Sequence, residues 1–393
     1  MIRILWISDL VAPTGFSRVS HSIIKYLPRD KFEVIGLGIN HMGDPHDYTF
    51  PIFPARMHPA DIYGHMRIEG LMEVYQPNLI FILNDAWVQK DYLQDFIDYS
   101  NKKQIDFPKI VTYTPADAED HNPAWYKDFD KVSAIVAYTE FGRGVIEVAT
   151  EGKYDVKIIN HGVDTSDFYK LGADKSYIRR KVFGNNDSKD YFIVLNANRN
   201  QPRKRLDISM KAFAEFSQGK DDARYYAHCG VTDDHIDIIR MATRLGIDEK
   251  LILTSLNPGI QRVTTEQLNE IYNICDVGLN TSLGEGFGLV NVEHAVTGAP
   301  QIVGNYSSMG KLHEDVGLVV DPITEWTIDK ITTTGKIVSP HDVAEKLEIL
   351  YSDRDLLAEL SQKNIDKFSS DEFSWKLISE QWAELFKSVL KGE

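Results

Sequence analysis

Two stretches of this 393-residue chain carry residue types that can handle a charged, hydroxyl-rich ligand. In TSLGEGFGLVNVEHAVTGAP, residues 281–300, glycines 284, 286 and 288 allow a sharp turn and a close approach of backbone to a ligand. The apolar run after them reads as a helix whose first N–H groups favour an anion. Glu285 lies inside the glycine turn, where a carboxylate can accept hydrogen bonds from sugar hydroxyls, and Glu293 follows eight positions later on the helix, within reach of a ribose. Each has a plainer reading: a solvated turn residue for Glu285, and a partner of the helix dipole for Glu293. In NANRNQPRKRLD, residues 196–207, Arg199 and Lys204 stand five apart across a loop and can converge on one diphosphate, Arg as a planar fork and Lys as a point charge. Arg203 and Arg205 are expected to face solvent. The plainer readings here are a solvated basic turn or a nucleic-acid patch.

Strands must deliver both loops. IRILWISDL ends at APTG and is followed by SRVSHSIIKYL with helical spacing, which is strand, glycine turn, helix. FEVIGLG, NLIFIL, KIVTYT, SAIVAY and VKIIN repeat the short apolar run. A second cycle begins beyond the polar stretch GNNDSKD at 184–190 with YFIVLNAN, RYYAHCG, LILTSL, DVGLNTS and APQIVGN. Thr264 with Gln267 three residues on is a capping-box pattern opening a helix. This alternation predicts α/β architecture: two doubly wound, Rossmann-like domains facing across a cleft, at about 1–165 and 166–372. Trp375, Ile378, Trp382, Leu385 and Val389 form one apolar face of a last helix, about 373–393, expected to pack back on a domain.

The two motif loops resemble the retaining nucleotide-sugar glycosyltransferases of family four, which have the GT-B fold. The resemblance rests on Arg199 and Lys204 with their five-residue step, on EGFGLVNVE, and on the flanking TSLG and TGAP; it extends to NHGVDTSDF, GKLHEDVGLVVDP and FSWKLISEQW. It implies that Arg199 and Lys204 bind the donor diphosphate. Glu285 would bind the transferred sugar beside the amides of Gly286, Phe287, Gly288 and Leu289, and Glu293 would hold the ribose. Leu256, Asn257 and Pro258 lie where the family packs the nucleotide base. Thr14, Gly15 and Phe16 match the loop that approaches the donor phosphate from the amino-terminal domain, although only Gly15 stands where paired glycines are usual. The family's histidine at the end of KIVTYTPAD is replaced by Thr114, and Asp117 or His121 are candidates for its role; an Asx turn after Pro115 explains Asp117 as well.

The reaction implied is transfer of a sugar from a nucleoside diphosphate to an acceptor hydroxyl with retention, by front-face displacement in which the leaving diphosphate helps deprotonate the acceptor. No cofactor and no metal enter that scheme; the nucleoside-diphosphate sugar is substrate. A sugar-nucleotide epimerase of the same fold, or a silent sugar-nucleotide binding module, would use the same residues. A dehydrogenase would need G-x-G-x-x-G opening the first helix, which APTGFSRVS lacks.

Composition agrees with a folded protein: 43% hydrophobic and 26% charged. Lys plus Arg is 43 against 58 Asp plus Glu, a net charge of −15, the wrong sign for holding nucleic acid by bulk electrostatics. Cys229 and Cys275 lack metal-ligand spacing and are expected to be small buried hydrophobes, though a bridge between them stays open. No apolar run approaches the ~20 residues of a membrane span, so a cytoplasmic protein is expected. The acceptor stays open among glycan, lipid, protein and modified nucleobase. Trp87, Trp125 and Tyr126 could stack on a sugar or base, or belong to the core.

Overall fold

A computed structural model describes residues 1–184 and 186–392 of the chain. Asn185, inside the expected boundary stretch 184–190, and Glu393, inside the expected last helix of about 373–393, lie outside the described residues. The chain divides into two compact units: Met1–Gly162 joined by the chain from Glu372 onward, and Val163–Asp371.

In the first unit, seven strands form one sheet: β1 Ile2–Asp9, β2 Phe32–Ile39, β3 Ile52–Pro54, β4 Leu79–Leu83, β5 Ile110–Thr114, β6 Ala134–Ala137 and β7 Val156–Ile158. Their order is β3-β2-β1-β4-β5-β6-β7, and every neighbouring pair is parallel. Strands covered on both faces read as unbroken apolar runs, because neither face meets water. Thus Leu5, Ile7, Ile80 and Ile82 join Tyr92 and Phe96 in one core layer. The alternate residues Trp6 and Phe81 face the other way. There they meet Trp382 and Phe386 of the last helix, Trp375–Lys391, with Phe81 and Trp382 ring centroids 5.1 Å apart. Ser379 of that helix donates to the Ile23 carbonyl at 2.6 Å.

The second unit holds a six-stranded parallel sheet of β8 Phe192–Asn196, β9 Ala223–Ala227, β10 Leu251–Leu253, β11 Val277–Asn280, β12 Gln301–Gly304 and β13 Leu318–Val320, in the order β10-β9-β8-β11-β12-β13. Phe192, Val194, Phe213, Tyr225, Ile302 and Leu347 fill its main core. Two further strands, β14 Pro322–Ile328 and β15 Thr333–Val338, form a separate antiparallel hairpin that the sequence reading did not anticipate. The expected capping box on the helix Thr265–Ile274 is present, with Thr264 accepting from the Gln267 N–H at 3.2 Å. Both sheets are doubly wound, and each reverses its strand order beside its first strand, between β1 and β4 and between β8 and β11. Crevices outside the strand carboxyl ends at such reversals are where open α/β sheets bind ligands.

Cys229 and Cys275 are both free and buried, with no bridge between them. Among the described residues, no helix is long and apolar enough to cross a membrane.

Candidate active site

Both motif loops leave the strands that flank the reversal in the second unit: residues 197–205 follow β8, and 281–288 follow β11. Each strand ends in asparagine, and each asparagine turns the chain in the same way. Asn196 Oδ1 accepts from the Asn198 N–H at 3.0 Å, and Asn280 Oδ1 from the Ser282 N–H at 2.9 Å, a pair of Asx turns that lift both loops off the sheet edge. The Leu283 N–H then donates to the Arg203 carbonyl at 2.7 Å, and Thr281 Oγ1 to the Arg205 carbonyl at 2.9 Å, so the loops are stitched together.

Lys204 and Glu285 meet at this seam. Lys204 Nζ donates to Glu285 Oε1, which also accepts from Asn280 Nδ2 at 3.2 Å and Ser282 Oγ at 3.1 Å. Both side chains are buried, 11% and 7% exposed, which makes the pair a built site and not a surface contact. Arg203 Nη1 stands 3.6 Å from Glu285 Oε2 and donates to the Gly284 carbonyl at 3.2 Å. Burial by itself would raise the Glu285 carboxyl, but the Lys204 and Arg203 cations outweigh it and hold the group at about 2, so it is ionised at any neutral pH. The backbone is fixed too: the Glu285 N–H donates to Ser307 Oγ at 3.1 Å, and Ser308 Oγ to the Glu285 carbonyl at 2.6 Å. Gly288 caps the helix Leu289–Val296 with φ of 87°, a backbone conformation that favours glycine, and a Cβ there would also displace Met309 Sδ, 2.3 Å away. Gly286, Phe287 and Leu289 complete the turn, with Phe287 buried. Its N–H groups lie at the positive end of the helix.

Three expectations, on Arg199, Arg203 and Arg205, need correction. Arg199 does not converge with Lys204: its Nε and Nη2 donate to Asp233 at 2.7 and 3.2 Å, while Lys204 goes to Glu285. The cause lies in Asn200, whose side chain donates to the Gly230 and Ile236 carbonyls at 3.0 and 2.7 Å and so draws the loop after β9, with Asp233, alongside Arg199. Arg203, with 34% of its side chain exposed, turns its guanidinium toward Glu285 and not fully out to solvent. Arg205 pairs with Asp207 through two bonds of 2.9 Å, with only 19% of its side chain exposed. Glu293 is 3% exposed and accepts from the Tyr272 hydroxyl at 3.2 Å. Leu256 is 73% exposed, and the loop it opens is tied to the loop after β9: the Val231 N–H donates to the Asn257 carbonyl at 3.0 Å.

In the first unit, Gly15 opens the helix Gly15–Tyr26 behind the cap Thr14. Thr14 Oγ1 donates to Asp9 Oδ2 at 2.6 Å and Asn40 Nδ2 to Asp9 Oδ1 at 2.9 Å. Thr114 is buried and donates to Gln89 Oε1 at 2.8 Å, which makes it part of the interior. His121 shares a hydrogen bond of 2.7 Å with the Tyr126 hydroxyl, and burial lowers it to about 4, so it is neutral. Half-buried Asp117 is its electrostatic neighbour. Tyr126 is core, and the Trp87 and Trp125 rings pack edge-on at 5.0 Å against that core.

Asn280, Ser282, Arg203 and Asp233 were not singled out as site residues by sequence reasoning. The asparagine ending an apolar strand just before a charged loop, present at both Asn196 and Asn280, is a signal that could have found the first. Among the described residues, no three His, Cys, Asp or Glu side chains group so as to hold a metal ion.

Residues 178–367 match the family model for glycosyl transferases group 1. The matched residues lie within the second unit, Val163–Asp371. Two curated relatives agree. An uncharacterized glycosyltransferase of Methanocaldococcus jannaschii is 21% identical over 69% of this chain and 64% of its own length. A D-inositol 3-phosphate glycosyltransferase of Nocardia farcinica is 25% identical over 64% of this chain and 53% of its own. The chain thus spans roughly three-fifths and one-half of these relatives. Among solved structures, Anabaena HepE in complex with UDP-glucose is similar over 99% of this chain and 100% of that one, with a TM-score of 0.71 and 17% identity. The fold is GT-B, with two parallel-sheet Rossmann-like domains.

Proposed function

We propose that this protein is a retaining glycosyltransferase that moves a sugar from a nucleoside diphosphate to an acceptor hydroxyl. The observation that carries the reading is the buried Lys204–Glu285 pair, with Arg203 beside it, at the strand reversal of the unit that matches the glycosyl transferases group 1 model. In this reading Lys204 and Arg203 neutralise the charge that grows on the leaving diphosphate, the largest electrostatic demand of the reaction. The anomeric carbon–oxygen bond to phosphate breaks, a bond to the acceptor oxygen forms on the same face, and the acceptor proton passes to a departing phosphate oxygen. Glu285, held as an anion, accepts hydrogen bonds from the hydroxyls of the transferred sugar and orients it. The helix that Gly288 caps supplies further donors toward the diphosphate. Side-chain cations and a helix end fill the role a divalent metal plays elsewhere, and no resident cofactor takes part. Binding of UDP-glucose by HepE supports a nucleotide sugar as donor.

The test is incubation with UDP-, GDP- and ADP-sugars, with and without saccharide acceptors, followed by measurement of nucleoside diphosphate release and of the product's anomeric configuration by NMR. Retained configuration and acceptor-dependent release are expected. Conversion of the donor sugar without acceptor would assign an epimerase, and nucleotide binding with no turnover a silent binding module.

A further inference from the structure

The hairpin β14–β15 has an unusual place in the second unit. Most of β14 is exposed, Ile323 at 61% and Trp326 at 50%, so burial of apolar surface does not account for it. Two-stranded hairpins are marginal by themselves. This one is rooted by Val338 in the main core and then reaches the seam between the two motif loops.

The Lys336 N–H donates to the Leu283 carbonyl at 3.0 Å, while the Leu283 N–H donates to the Arg203 carbonyl at 2.7 Å. Leu283 is therefore a middle rung, bonded on one side to the loop that presents Lys204 and on the other to β15. The contact needs Gly335: a Cβ there would lie 2.6 Å from the Leu283 carbonyl oxygen and 2.7 Å from its Cβ. Trp326 stands opposite Gly335 in the hairpin register, and the Arg205 guanidinium lies 5.6 Å from its ring centroid. Arg205 is the residue directly after Lys204, and it holds the left-handed conformation at φ of 49°, which a side chain adopts only when its surroundings impose it. Asp207, Thr281 and Trp326 are those surroundings.

We propose that the β14–β15 hairpin is a positioning device for the donor site, in which Trp326 clamps Arg205 and Gly335 lets β15 register on Leu283, so that Lys204 and Glu285 stay in place. Trp326 and Gly335 are positioning residues, and the inference rests on the donor reading above.

The experiment compares wild type with Trp326→Ala, Trp326→Phe and Gly335→Val in sugar-nucleotide turnover, thermal unfolding and amide exchange at Lys204, Arg205 and Leu283. Trp326→Ala is expected to raise the donor KM roughly tenfold, leave the acceptor KM alone, speed exchange at Arg205 and Leu283, and barely move the unfolding midpoint. Trp326→Phe restores both readouts in part, and Gly335→Val, if it folds, reproduces the alanine variant. A wild-type donor KM and wild-type exchange in Trp326→Ala overturn the proposal. If no sugar nucleotide is turned over by wild type, the donor reading fails, and exchange at Arg205 and Leu283 then decides the hairpin alone: faster supports it, unchanged sinks it.

Discussion

The two strand reversals of this molecule share a topology and differ in chemistry. After β11, the Glu285 carboxylate is buried among Lys204, Arg203, Asn280 and Ser282 and is held down at about 2. At the end of β1, the Asp9 carboxylate is also buried, but its partners Thr14 and Asn40 are neutral, and burial pushes it up despite their hydrogen bonds. The two carboxylates sit at matching reversals but not at one position, Asp9 ending its strand and Glu285 standing in the loop beyond Asn280. Their partners decide whether the reversal carries a stable ion pair, ready for an anionic ligand, or a carboxyl that resists ionisation.

The largest expected effect breaks the comparison from the charged side. Lys204→Ala should cut turnover by about 10²- to 10³-fold, as loss of a donor aimed at developing charge does, whereas Asp9→Asn should stay within severalfold of wild type. Steady-state kinetics on the two variants measures the contrast, and equal losses would dissolve it. Next comes Glu285→Gln, which leaves Lys204 and Arg203 without their counter-charge; about 3–5 kcal/mol of stability should go, read by urea unfolding, against less than about 1 for Asp9→Asn.

Acid should act on stability in a definite order. His161, His294 and His313 are held near 3, and His121 and His228 near 4, chiefly by burial. An unfolded chain takes protons on these groups below about 6.5 that the fold refuses, so stability falls as pH drops from there toward 3. Glu285 acts lower: its contribution is present above about 4.5 and is lost as pH falls toward 2. Asp9, with its value raised, has the opposite sign and loses its contribution as pH rises through its folded value. Urea unfolding at pH 7 and pH 5 should show lower stability at pH 5, and the same stability at both would contradict neutral buried histidines. The smallest effect is Arg199→Ala. Its ion pair with Asp233 is half-exposed, so stability should change by less than about 1 kcal/mol in the same assay.

Much of this was legible in the sequence because strands covered on both faces must be apolar along their whole length. The runs ILWI, LIFIL and FIVLN announce β1, β4 and β8 without help from tertiary structure. The glycine turn with Glu285 and the basic loop with Lys204 were visible for the same reason, as charge placed just past a strand end. What was hidden depended on contacts distant in sequence. Nothing near Arg199 says that Asn200 will recruit Asp233, and nothing near Arg203 says that it will turn inward to Gly284 rather than out to water. The hairpin was missed because β14 is mostly exposed and β15 is rich in threonine, and the hairpin is seated by Gly335 against Leu283, a contact with no signature in PITEWTIDKITTTGKIV.

The most direct measurement is calorimetric titration of UDP, GDP and ADP into wild type and Lys204→Ala. The account predicts that wild type binds at least one of the three and that the variant binds it at least about tenfold more weakly, the equivalent of one charge-assisted contact. Equal affinity in both proteins would mean that the Lys204–Glu285 pair is a structural ion pair and that the diphosphate binds somewhere else.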